Sequence, residues 1–255
     1  MATPRQSQKT RSNRLSRANV IAFATRLGRY NVEDDEDDFD PFVVGVPLGY
    51  TFNLKEPGRA VIIDAPFTYV NSDGSEAYNA SLGVGLRYPV LKSPESRPIW
   101  TVTPAVRLGA VGSRDIGAAA LIYSFSATSN YDVYFGDMKT SIGNMIGYYQ
   151  TESVNIADFD IPYDLTNAMF RNGVIFDGPL NYSIFGEPTG WEASIVDTRF
   201  IGDDLFVEWY EDIAFSVGTR PRPDTPLWKR WRFGITVTVG DNDYHGVSMN
   251  YGYEF

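Results

Sequence analysis

The sequence predicts an all-β chain folded as an antiparallel up-and-down β-barrel of about twelve strands that crosses a membrane. Three observations predict it. First, apolar and polar residues alternate in one run after another from Phe42 to the C-terminus, and several runs exceed the roughly 5–6 residues of a typical soluble strand. Second, aromatics make up 15% of the 255 residues, with 16 Tyr, 16 Phe and 5 Trp beside 23 Gly, the mixture that aromatic strands joined by tight turns produce. Third, the less apolar face of these runs holds Gly, Ser, Thr, Asn and Pro with scattered charges. A soluble sandwich would place many Lys and Glu there. A closed barrel with a polar interior would not.

The elements follow in chain order. Residues 1–17 are basic and polar, with Arg5, Lys9, Arg11, Arg14 and Arg17, and read as a disordered tail. Residues 18–31 place Val20, Ala24 and Leu27 at helical spacing, which predicts a short amphipathic helix that could thread the lumen. Its apolar piece ANVIAFA is short for a secretory leader. Seven acids between Glu33 and Asp40, closed by Pro41, form an acidic linker that completes the segment 18–41. They lack the glycine turn and spacing of an EF-hand loop.

From 42 to 255 the chain is barrel. FVVGVPLGYTFNL sets Phe42, Val44, Val46, Leu48, Tyr50, Phe52 and Leu54 on one face. RAVIIDAPFTYV sets Val61, Ile63, Phe67 and Tyr69 opposite Asp64 and Thr68, and AYNASLGVGLRYPV sets Tyr78, Leu82, Val84, Leu86 and Tyr88 against Ser81, Gly83 and Arg87. Further runs occupy 99–111, 116–128, 131–138, 142–150, 191–201, 205–219, 229–240 and 245–255. Between them, strands near 163–176 and 180–186 show no dominant parity. GDND before the last strand is a hairpin turn.

Rings gather toward the strand ends of the apolar face, as interfacial girdles of a lipid-facing barrel do. The polar face is then the lumen, and it carries Asp64, Arg87, Arg107, Glu208, Asp212 and Arg232. Glu208 and Asp212 share a face four residues apart, about 13 Å on a strand, too far for a retaining carboxylate pair. They are expected to pair with Arg87, Arg107 or Arg232 and stiffen the interior. Glu211 falls on the apolar parity of its strand and is the one residue there that favours a soluble fold.

The final strand, VSMNYGYEF, alternates Val247, Met249, Tyr251, Tyr253 and Phe255 with smaller polar residues. It resembles the C-terminal assembly signal of Gram-negative outer-membrane β-barrels. The strand count and a short helix before the first strand are similar to the translocator barrel of autotransporters, and more narrowly to solitary barrels of that type. The resemblance covers roughly 42–255 and implies a place in the bacterial outer membrane, with outer-membrane lipid and the barrel-assembly machinery as partners. It implies a monomeric pore, open or plugged, or a structural translocator-type barrel. Nothing upstream is large enough to be a passenger, so passenger secretion is not carried over.

The remaining chemistry is sparse. The chain has no Cys, a net charge of −10 and a pI near 4.6, which exclude thiolate chemistry and argue against nucleic acid. No phosphate loop, metal-ligand cluster or cofactor fingerprint is present, so no cofactor, metal or catalytic residue is assigned. His245 is the one histidine. Outer-membrane lipases pair a His with a Ser on the lipid boundary, but His245 and Ser248 have opposite parity and would point to opposite faces. Asp241 and Asp243 beside His245 supply the residue types of an outer-membrane protease and read better as turn residues. The alternatives to a pore are an outer-membrane hydrolase and a secreted soluble β-protein.

Overall fold

Alternating strands with apolar exteriors must each pair on both sides, because an unpaired edge in lipid leaves backbone groups without partners. The computed structural model meets that demand. It describes residues 20–33, 38–72, 74–93, 98–113, 118–154, 164–220 and 231–254.

The strands are β1 (Val20–Glu33), β2 (Asp38–Phe39), β3 (Phe42–Val46), β4 (Leu48–Asn53), β5 (Ala60–Asp64), β6 (Phe67–Ser72), β7 (Ser75–Lys92), β8 (Pro98–Ser113), β9 (Ala118–Phe135), β10 (Met138–Ser153), β11 (Thr166–Ile184), β12 (Glu187–Gly202), β13 (Trp209–Thr219), β14 (Trp231–Gly240) and β15 (His245–Glu254). Two breaks fall at prolines, which lack the N–H a ladder needs. Pro47 divides β3 from β4, and Ala65-Pro66 divides β5 from β6. Both members of each pair lie against the same neighbours, β1 for the first and β7 for the second. Each pair is one stave. With β2 set aside as a short pairing to the end of β1, twelve antiparallel staves remain, and ten residue pairs between β1 and β15 close the ring.

The closing partner of the last strand differs from expectation. The described part of 18–31 forms no helix; residues from Val20 onward are β1. Helical spacing of Val20, Ala24 and Leu27 competes there with an alternation that puts Thr25, Leu27 and Arg29 on one side and Ala24, Arg26, Gly28 and Tyr30 on the other. β15 decides the matter, since it needs a partner along its whole free edge.

Two further boundaries shift. The runs 116–128 and 131–138 are one strand, β9. The pieces near 163–176 and 180–186 are also one strand, β11, with a register slip at Pro179/Ser183. The twelve-stave total stands because these mergers offset the added β1 and the original runs numbered one more than twelve.

Connections separate into two ends. Both described termini, Val20 and Glu254, lie at one end, here called the terminal end. Two-residue turns at 136–137 and 185–186 lie there too. Phe185 (φ 54°) and Gly186 (φ 78°) give the paired left-handed geometry of a tight hairpin. The opposite, or loop, end carries the β10–β11, β12–β13 and β14–β15 connections.

The packing is inside out relative to a soluble barrel. Val247, Met249 and Tyr251 on β15 are 41–57% exposed while Ser248 between them is 1% exposed. The same contrast sets Leu108 and Phe125 outside and Thr236 and Thr238 inside. The buried set holds more hydroxyls and amides than aliphatic groups. A wall of Leu, Ile, Val and aromatic side chains facing outward is favourable only in an apolar solvent.

Candidate functional site

The interior wall is where polar chemistry concentrates. Sheet pleating fixes which residues reach it, and the register fixes which of them meet. Three charged clusters result.

The first joins five staves. Asp212 on β13 is 5% exposed and accepts hydrogen bonds from the Arg26 guanidinium of β1 (3.1 Å) and the Thr238 hydroxyl of β14 (2.6 Å). Arg26 also donates to Thr238 (3.2 Å) and through Nε to Ser248 of β15 (2.9 Å). Arg171 of β11 approaches the second carboxylate oxygen at 3.8 Å. Two guanidiniums therefore share one carboxylate. A buried acid needs this many donors to stay charged.

Around this cluster lies an aromatic wall toward the loop end. Tyr30 stacks on Tyr244 at 5.4 Å, Tyr210 meets Tyr244 edge-on at 6.2 Å, and Phe200 follows at 6.4 Å from Tyr210. Arg26 lies 5.7 Å over the Tyr30 ring. Gly28 and Gly246 flank that ring, and a side chain at either would collide with it.

The second cluster pairs Asp64 of β5 with Arg107 of β8, which also donates to Ser81 of β7. The third lies toward the terminal end. Asp177 of β11 holds Arg220 (3.5 Å) and Arg232 (3.6 Å). Arg232 reaches on to Glu192 (3.6 Å) and donates to Ser216 (3.0 Å).

The six charged residues read from the sequence thus have distinct placements. Asp64 and Arg107 meet each other. Asp212 meets Arg26 and Arg171, and Arg232 meets Asp177 and Glu192. Arg87 contacts no acid among the described residues; it donates to the Asn53 side chain (3.2 Å) and the Gly58 carbonyl (3.3 Å). Glu208 departs from expectation. It precedes β13, is exposed, and its backbone N–H donates to Asp241 (2.8 Å), so it shares no strand face with Asp212. Arg26, Arg171, Asp177 and Glu192 were not singled out from sequence. Their signal was present in opposite charges of inward parity on neighbouring strands.

The remaining candidates are local. His245 opens β15 opposite Asn31 and Val239 and contacts the Asp243 carbonyl at 2.6 Å. Ser248 faces inward and accepts from Arg26. Asp241 accepts from the backbone N–H groups of Glu208 (2.8 Å) and Trp209 (3.4 Å), capping the loop. Val247, Met249 and Tyr251 face outward. Tyr253 pairs through its backbone with Phe23 and Trp231. Phe255, the tail 1–17 and most of the acidic linker lie outside the described residues.

No protein-family model matches the chain, and no curated protein matches it in sequence. Solved structures do resemble it. The β-domain of the Bordetella autotransporter BrkA superposes with a TM-score of 0.66 at 12% identity, covering 93% of this chain and 99% of that one. The translocator domain of the autotransporter NalP from Neisseria meningitidis gives 0.59 at 10% identity, covering 93% and 88%. An outer-membrane channel from Pseudomonas putida F1 gives 0.56 at 7% identity, covering 98% and 100%. The chain therefore shares the fold of these outer-membrane barrels: a closed, antiparallel, twelve-stave barrel with an apolar exterior.

Proposed function

We propose that this chain is a bacterial outer-membrane barrel working as a narrow pore or translocator-type conduit, with its charged inner wall as the functional surface. The carrying observation is the inside-out wall closed by β1 and β15, which encloses ion pairs on nearly every side. The autotransporter and channel neighbours support the setting, and the barrel-assembly machinery is the expected partner for insertion. Both described termini and the turns at 136–137 and 185–186 lie at the terminal end. On the rule that inner-side turns are short, that end faces the periplasm, with the β13–β14 connection over 220–230 as its one long link.

The chemistry supports conduction rather than hydrolysis. Ser248 is committed to Arg26 and faces away from His245, and Asp241 is committed to backbone donors. A solute crossing the barrel would instead meet Arg171, whose side chain is 42% exposed and makes only a long contact to Asp212. Two arginines against one acid leave positive charge in the lumen at that level, which favours anions there.

Planar-bilayer recordings of the purified full chain test this. Discrete conductance steps are expected, and Arg171→Glu should move the anion-to-cation permeability ratio about fivefold or more toward cations, the scale of one close charge interaction in water. Step-free membranes with both chains would overturn the pore reading.

A further inference from the structure

Over most of the wall the middle of the outward face is apolar, but one row crossing it is not. Ser129, Asn144, Asn172 and Asp197 all face outward, on β9, β10, β11 and β12. They are direct register partners in that order: Ser129 opposite Asn144, Asn144 opposite Asn172, Asn172 opposite Asp197. The row continues to Glu211 of β13, opposite Asp197. Five adjacent strands place it across about 19 Å of wall.

Strands tilt in a barrel, so the row climbs as it crosses the wall. Asp197 and Glu211 end near the loop end, beside Arg199 (3.1 Å from Asp197) and Trp209, where water can reach them. Asn144 and Asn172 do not have that escape. Ile142 and Ile146, 41% and 52% exposed, flank Asn144 along β10, and Phe170 and Val174 flank Asn172 along β11. The two amides sit exposed within the apolar belt.

Their hydrogen bonds are incomplete. Asn144 Nδ2 donates to Asn172 Oδ1 at 2.8 Å. That leaves the Asn144 oxygen and the Asn172 amide hydrogens with no further partner among the described residues. Acyl chains offer neither donor nor acceptor, so exposure to lipid leaves these groups unpaired at a cost. A residual acceptor beside a residual donor is its own complement. A two-fold axis through the pair brings the Asn172 amide of one chain against the Asn144 oxygen of another, and the reverse.

We infer that the outward face of β9–β12 is the interface of a homodimer in the membrane, with a second copy of this chain covering Asn144 and Asn172. Small and amide side chains serve as such contacts between membrane segments, where hydrophobicity gives no drive to associate. Ser129 fits the same role, since it already accepts from the Trp100 indole (2.9 Å). This reading differs from the expectation of a monomer.

The chain lacks Cys, so single-cysteine variants report contacts cleanly. Ile146→Cys, beside the row, and Leu27→Cys, on β1 six staves away, are treated with a short bismaleimide in native membranes. Ile146→Cys is expected to yield a covalent species at twice the chain's 28.5 kDa, and Leu27→Cys to remain single. Adding N144L and N172L to Ile146→Cys should lower the dimer yield about tenfold, the scale of losing one or two hydrogen bonds between membrane segments. Heat-modifiable gel migration verifies that every variant is folded. Equal yields from both cysteines, an unchanged yield with the leucines, no adduct, or an adduct of another mass would overturn the homodimer.

Discussion

Tyr244 lies between β14 and β15 with its ring against Tyr30 and Tyr210. Burial raises its pKa well above the ordinary value of 10.0, and the neighbouring tyrosines add to the shift. The folded state then holds a proton that the unfolded chain gives up. By linkage, its contribution is complete below pH 10 and is lost progressively as pH rises from there toward the raised folded-state value. Resistance to denaturant should therefore fall as pH rises above 10, to a smaller extent in Tyr244→Phe. Equal losses in the two chains would show that this hydroxyl does not govern the alkaline limit. The same corner shows why single residues were hard to read from sequence. Tyr30 has neighbours about two hundred residues distant, and Arg26 is drawn to Asp212 by a closure that no local pattern announces.

At the scale of the element, β15 was legible and β1 was not. VSMNYGYEF alternates without exception, so its faces could be assigned on sight. ATRLGRYN carries two arginines and one large aliphatic residue, a pattern that fits a helical face as well as a strand. Only the edge of β15 separates them. β11 was unclear for a different reason. Asn172 faces outward while Met169 and Ile175 face inward, so parity inverts locally where the outward amide row crosses. Charged residue types were readable, but their partners depend on stagger between strands, which is how Arg87 came to meet Asn53 rather than an acid. Because β15 seals the ring, removing Phe255 next to it should lower membrane-inserted protein severalfold, measured by fractionation and heat-modifiable migration. Normal levels of the truncated chain would contradict a role in assembly.

The whole molecule is a cylinder with charge sorted by end as well as by face. The described loop end carries Asp40, Glu152, Asp164, Asp203, Asp204, Glu208, Asp241 and Asp243, with Arg29 held by Asp40 at 3.5 Å. The terminal end carries Lys55, Arg59, Lys92, Lys139 and Arg220 among fewer acids. Glu56 there accepts from Lys92 at 2.9 Å, which holds its carboxyl below the usual range. Among the described residues, exposed acids thus crowd the loop rim. Glu211, which argued for a soluble fold, belongs near that rim and does not interrupt the belt.

The central claim is that apolar residues face lipid while polar residues face an enclosed lumen. Single cysteines at 123–128 of β9, in protein reconstituted into vesicles, test it most directly. A charged, water-soluble maleimide should label positions 124, 126 and 128 and spare 123, 125 and 127, a period of two. Labelling with the opposite parity, or evenly along the strand, would contradict it.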